Sequence, residues 1–189
     1  AFVCAKMLHQ KTILNVLIAS VVLACAPGCS VKRIAVNKLG NALASGGSTF
    51  TSDDDPELVR DALPFSLKLM ESLLAESPRH RGLLFAAASG FTPYAYAYVQ
   101  QEADEIEDRD LQKAVALRLR ARRLYLRARD YGLRGLDATH PFFASEVRRD
   151  PKSTVLKAAK KDVALLYWTA ASWGAAIALA KNNPELVAD

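Results

Sequence analysis

The side chains able to do covalent chemistry in this 189-residue chain are gathered at one end. Its three cysteines are Cys4, Cys25 and Cys29, and none follows. A disulfide framework or a cysteine-based zinc centre in the remaining residues is therefore excluded, because both need several thiols in the folded body. A bridge between Cys25 and Cys29 is one possible use of the pair. Downstream of Cys29 the only imidazoles are His80 and His140. "DATH" puts Asp137 within one helical turn of His140, the spacing of an acid–base pair, but Pro141 follows directly and a helix end is the plainer reading. No HExxH or GxSxG motif accompanies them, so no catalytic residue is assigned and the chain is expected not to be an enzyme. "DDDPE" fails as a calcium loop: counting from Asp53, the sixth position is Leu58 and the twelfth Pro64, where glycine and glutamate are required. "SGGST" lacks the Gly-Lys-Ser/Thr ending of a phosphate loop. No metal and no cofactor are expected.

Cys29 has a more specific context. Lys6, His9 and Lys11 precede an apolar run from Ile13 to Ala26, too short to span a bilayer, which takes about 20 residues. A basic start, a short apolar middle and small residues before a polar stretch make a secretory signal. It ends in Ala26-Pro27-Gly28 before Cys29, and Val22-Leu23-Ala24 stands before Cys25. Both resemble the bacterial lipobox, in which a small residue precedes the cysteine that becomes the lipidated N-terminus. Gly28 and the polar residues that follow favour Cys29, with Cys25 as the alternative. Ser30 after the cysteine, in place of aspartate, favours the periplasmic side of the outer membrane. Residues 1–28 are thus expected to be a lipoprotein signal peptide, 29–55 a tether with a short amphipathic segment, and 56–189 a helical-repeat domain. The start at Ala1 and the helix-starting Pro184 near the end are expected to mark a partial chain, truncated at its C-terminus.

The elements that follow read as helices. Two of the 25 basic residues precede Cys29 and none of the 20 acids does, which leaves 23 against 20. That surplus is too small to argue for nucleic acid. Residues 30–45 suggest an amphipathic helix through Val31, Ile34, Leu39 and Leu43, interrupted by Gly40. Asp53 to Asp55 before Pro56 make a helix start, with a capping carboxylate and proline at the first position. Helices are expected over 56–75, 82–106 with a kink at Pro93, 111–136, and 153–181. In the third, Leu117, Ala121, Leu124, Ala128, Tyr131 and Gly135 form one apolar line, and Val115, Leu119, Leu126 and Leu133 a nearly opposite one. Arginines fill both flanks, Arg118, Arg122 and Arg129 on one, Arg120, Arg123, Arg127 and Arg134 on the other. They are expected to be solvated or paired with the acids of "EADEIEDRD". A helix with two apolar sides belongs inside a stack of hairpins. The uncharged run from Val163 to Ala180 is rich in alanine, serine and glycine and is expected to be a central buried helix, not a membrane span.

"GLLFAAASGF" (82–91) is echoed by "ALLYWTAASWG" (164–174), and "AESPRH" closes the first hairpin with a proline. Across nearly all of the chain after Gly28 the sequence resembles the T-component (TatT) family of TRAP transporter systems. The block "STFTSDDDPELVRDALPF" carries the resemblance most specifically, supported by "RARRLYLRARDYGLRGL" and "DVALLYWTAASWGAAIALAKNNPELVAD". The resemblance implies an all-α fold, a tetratricopeptide-like helical-hairpin solenoid, in a periplasmic lipoprotein that assembles as a homotrimer. It further implies contact with the solute-binding P-component of a tripartite ATP-independent periplasmic transporter.

Three functions follow as expectations: a non-enzymatic scaffold that docks the solute-binding protein, a helical-repeat scaffold of the envelope unconnected with transport, and a holder of an apolar small molecule. Candidate contact residues are Phe91, Tyr94, Tyr96 and Tyr98 around Pro93, and Phe142 and Phe143 after His140, with core packing as the alternative for each. The lipid anchor is expected to be the sole link to the membrane, and nucleic acid is not expected as a partner.

Overall fold

A computed structural model describes residues 28–45, 50 and 52–180. Among the described residues every regular element is helical, as the absence of alternating β-branched runs dictates. The chain divides into units of residues 1–35 and 36–189, and the architecture below is that of the longer one. Cys25 lies outside the described residues, and so does the side chain of Cys29.

The helix α1 (Gly28–Ser45) runs through Gly40 without a break. The glycine is a contact, not an interruption. A Cβ there would stand 2.9 Å from Leu83 Cδ1 and 3.1 Å from His80 Nε2, so its absence lets α1 lie close to the following helices. Its inward residues in this unit are Val36, Leu43 and Ala44, whereas Leu39 is exposed, which corrects the expected apolar line.

Asp55 caps α2 (Pro56–Glu76), its carboxylate accepting from the N–H groups of Glu57 and Leu58 at 3.1 and 3.0 Å. After "SPR", His80 caps α3 (Arg81–Ala95): Nδ1 accepts from Leu83 N–H at 3.1 Å, and Nε2 lies 3.3 Å from the Asn37 carbonyl. At Pro93 the helix does not end. It widens into a π-helical turn over Tyr96–Gln100 and continues as α4 (Gln101–Ile106). A proline removes one i→i−4 bond and crowds the preceding turn, and the wider turn absorbs that. Asp110 then caps the longest helix, α5 (Leu111–Asp137).

The α5 helix is the spine. It packs against α3 on one side and against α8 (Val163–Ala178) on another, while α2 packs on α3. Ala121, Tyr125, Ala128, Gly132, Gly135 and Leu136 are buried along it. Two sides are covered, as expected, but only over the C-terminal half of the second line. Leu133 is buried, while Val115 and Leu119 are about half exposed at 47% and 48%. Arg129, expected on a solvated flank, is 8% exposed instead. Its guanidinium lies 5.3 Å from the Trp173 ring centre and pairs with Asp130. Arg118 does find the acidic stretch, bonding Glu107 and Asp104 at 2.6 to 2.9 Å.

The single helix expected over 153–181 is three elements instead. Between α5 and α8 the chain forms α6 (Phe143–Arg149), α7 (Pro151–Val155) and a 3-10 turn, Lys160–Asp162. The break has a tertiary cause. Asp162 is fully buried and accepts from its own Ala159 N–H at 2.9 Å, from Arg81 on α3 and from His140 Nε2 at 2.9 Å. Three donors from separate elements outweigh local helix propensity, which is worth fractions of a kcal/mol per residue (about 0.7 at most for ordinary residues).

Among the described residues the α8 helix is covered along one face only, where burial throughout was expected. Leu165, Thr169, Ser172 and Ala176 are buried, whereas Val163 and Tyr167 are 59% and 63% exposed. Among the described residues no helix is long and apolar enough to cross a membrane. Gly174 has open space where a Cβ would be. Gly174→Ala is therefore expected to raise stability by about 0.5–1 kcal/mol through helix propensity alone, read as a higher thermal midpoint.

Candidate functional site: an apolar cleft between α2 and α3

Two constellations merit weighing, one polar and one apolar. The polar one is Asp162 with Arg81 and His140. A histidine–carboxylate pair suits proton transfer, but this carboxylate is 0% exposed and the imidazole 22% exposed. Burial pushes the Asp162 carboxyl up, yet the His140 hydrogen bond, the Ala159 N–H and the Arg81 charge together hold it below its ordinary value. A carboxylate held below its ordinary value is a weaker base than a free one. Asp137, the partner suggested by "DATH", is elsewhere engaged: its carboxylate accepts from Ala144 N–H at 2.9 Å. The polar cluster ties α3, the α5–α6 loop and the start of α8 together. Among the described residues no group of three or more His, Cys, Asp or Glu side chains is placed to hold a metal ion.

The apolar constellation is a cleft of about 540 Å³ whose walls are mainly α2 and α3. From α2 come Leu63, Leu67 and Met70; from α3, Phe85, Ser89 and Gly90; Trp168 of α8 reaches in from the side. Local sequence explains the opening. Gly90 lets α3 come close to α2 beside the opening, since a Cβ there would stand 2.8 Å from Leu67 Cδ2. Ala86 and Ala97 line it with methyl groups only. Past Pro93 the π-helical turn re-aims Tyr98, which lines the cleft and donates to the Pro56 carbonyl at 3.0 Å. A π-turn inside an α-helix is a frequent mark of a functional position. The walls carry few polar groups, so the cleft suits an apolar guest or an apolar side chain of a partner.

The six expected contact residues divide. Phe91 at 3%, Tyr94 at 9% and Phe143 at 1% exposure belong to the core. Tyr98 borders the cleft. Tyr96, 53% exposed, and Phe142, 75% exposed, are free at the surface. Phe142 has a left-handed backbone, φ 69°, a conformation costly for a bulky residue. Sequence reasoning missed Phe85, Trp168 and Met70 as lining residues. Their one legible signal was the spacing of small residues, Ala86 to Gly90, facing the large residues of α2.

Residues 52–189 match the family described as TAtT, TRAP transporter T-component. An uncharacterized protein of Treponema pallidum (strain Nichols) is 34% identical over 175 residues, covering 83% of this chain and 54% of the relative. The chain thus spans about half the length of that relative. A family match over nearly three-quarters of the sequence, which takes in the hairpins and the α2 and α3 walls of the cleft, places this chain in the TRAP transporter T-component family.

Proposed function

We propose that the chain is a non-enzymatic accessory component of a tripartite ATP-independent periplasmic transporter, which docks the solute-binding P-component and holds or passes an apolar ligand in the α2–α3 cleft. The observation that carries the ligand reading is the cleft itself, about 540 Å³ with four aromatic side chains, Phe50, Phe85, Tyr98 and Trp168, at its walls. The hairpins of α2–α3 and α3–α5 support a tetratricopeptide-like stack, whose surfaces bind proteins. The outward apolar face of α8, with Val163 and Tyr167 exposed, supports assembly into a homotrimer. The proposal includes a lipid anchor at Cys29, with Cys25 as the alternative, that holds the chain on the periplasmic side of the outer membrane. Labelled palmitate should enter the wild-type chain and be lost on Cys29→Ala; labelling that survives both Cys29→Ala and Cys25→Ala would remove the anchor.

The cleft is tested by plugging it. Ser89→Trp places an indole into the opening from the middle of α3. Titration with the apolar dye N-phenyl-1-naphthylamine should show saturable fluorescence in the wild type and at least about tenfold weaker binding in the variant, the cost of removing one well-packed apolar contact. Equal binding by both proteins would show that the dye sits elsewhere and that the cleft is not a ligand site.

A further inference from the structure

Four arginines on α5, Arg120, Arg123, Arg127 and Arg134, fall within about 60° of one line and extend along about 21 Å of helix. All four are exposed. Three of the four guanidinium groups are held in place. Arg127 lies 5.5 Å from the Phe91 ring centre and Arg134 lies 5.2 Å from that of Tyr131. Phe91 and Tyr131 are themselves stacked, ring centres 6.0 Å apart. Arg120 donates to the Tyr94 hydroxyl at 3.3 Å, and Arg134 also donates to the Pro78 carbonyl at 3.1 Å. Tyr131 donates to Glu71 at 2.8 Å, which fixes the ring under Arg134. Charge is only partly balanced: Arg127 approaches Glu71 at 3.5 Å, while Arg123 forms no ion pair with any described residue. Arg123, Arg127 and Arg134 share one open face of α5 with Leu126 and Tyr131, and the one carboxylate on that face, Asp130, is already paired with Arg129.

We infer that this arginine row is a docking ledge for a carboxylate-bearing face of a partner protein. Planar guanidinium groups held against rings keep outward N–H donors in a fixed fork, the geometry that takes a carboxylate in two hydrogen bonds. Ordering them before contact lowers the conformational cost of binding. An anionic bilayer fits less well. Glu71 and Asp130 stand among the arginines, so the surface offers spaced cationic positions for discrete carboxylates and not the unbroken positive face that draws a protein onto an anionic bilayer. The inference rests on the reading of this chain as a docking scaffold, and names the chemistry of the surface that the solute-binding protein must present.

The test pairs two probes on the full-length chain: a fluorescein-labelled decapeptide of alternating glutamate and glycine, and the cognate solute-binding protein. Both should bind the wild type, weaken at least about tenfold between roughly 50 and 300 mM salt, and weaken at least about tenfold in Arg123→Glu/Arg134→Glu. Arg123→Glu alone, at an exposed side chain with no described partner, should give a smaller loss and guards against a folding defect. Arg123→Lys/Arg134→Lys keeps the charge but loses the fork, and should bind more weakly than wild type. Unchanged binding of the solute-binding protein in the double reversal would overturn the ledge and leave the proposed function standing. Binding of the peptide that falls with charge reversal, with no binding of the solute-binding protein by wild type, would uphold the ledge and sink that function. Sedimentation with phosphatidylglycerol vesicles in the absence of peptide binding would overturn the protein-partner inference in favour of a membrane.

Discussion

Asp162→Ala is expected to lower the free energy of unfolding by about 3 kcal/mol, the cost of removing one member of a buried charge cluster, discounted because Arg81 remains 31% exposed. The deletion strands Arg81 and His140 and releases Ala159 N–H, so α3, the α5–α6 loop and the entry to α8 lose their common anchor. Asp162→Asn keeps the shape but not the charge, and should recover less than half. His140→Ala should cost only about 1 kcal/mol, since Arg81 still neutralises the carboxylate. The sign of the pH dependence follows from the carboxyl's displacement below its ordinary value. A group more acidic when folded contributes fully above its unfolded value, about 4, and its contribution is lost as pH falls through the lower folded value. Wild type should therefore lose stability more steeply than Asp162→Asn as pH drops below about 4. Thermal unfolding at neutral and acid pH reads both effects. Equal midpoints for wild type and Asp162→Ala would show that the cluster holds nothing together.

Gly132→Ala should be destabilising even though alanine is the better helix former. A Cβ at Gly132 would meet Thr169 Oγ1, stand 3.0 Å from Thr169 Cβ and 3.3 Å from Thr169 Cα on α8. The last of these is backbone and cannot rotate away. Thr169 Oγ1 also donates to the Leu165 carbonyl at 2.7 Å, a bond that moving the hydroxyl would break. Overpacking costs about 1–3 kcal/mol and the lost hydrogen bond about 1 kcal/mol, against about 1 kcal/mol gained in propensity, so a net loss of about 2 kcal/mol is expected. Combining Gly132→Ala with Thr169→Ala removes the hydroxyl clash but not the Cβ one, and should restore about half, measured as a coupling energy in a double-mutant cycle. Strict additivity of the two substitutions would mean that α5 and α8 do not touch there.

The helices of the first three hairpin arms were legible because capping and periodicity agreed: Asp55 before Pro56, and Asp110 before the regular apolar spacing of α5. The region after Asp137 was not legible, because its conformation depends on partners far along the chain. Asp162 is bonded to Arg81, distant in sequence, and no local pattern announces that. Arg129 misled for a similar reason: as one arginine in a solvated-looking run, it reveals its burial only once Trp173 is placed over it. Gly40 read as a break because glycine weakens an isolated helix, but close approach of Leu83 turns the same residue into a packing requirement. The cleft was only half legible. Aromatics around Pro93 pointed to the right region, yet Phe91 and Tyr94 turned inward, and Phe85 and Trp168 supplied the walls.

The central claim is that this T-component family member docks a solute-binding protein. Titration of the full-length chain with the cognate solute-binding protein, followed by isothermal calorimetry, tests it most directly. Saturable binding at a fixed stoichiometry, in the micromolar range or tighter, is the predicted result. No heat and no co-migration at the highest attainable concentrations of both proteins would contradict the account.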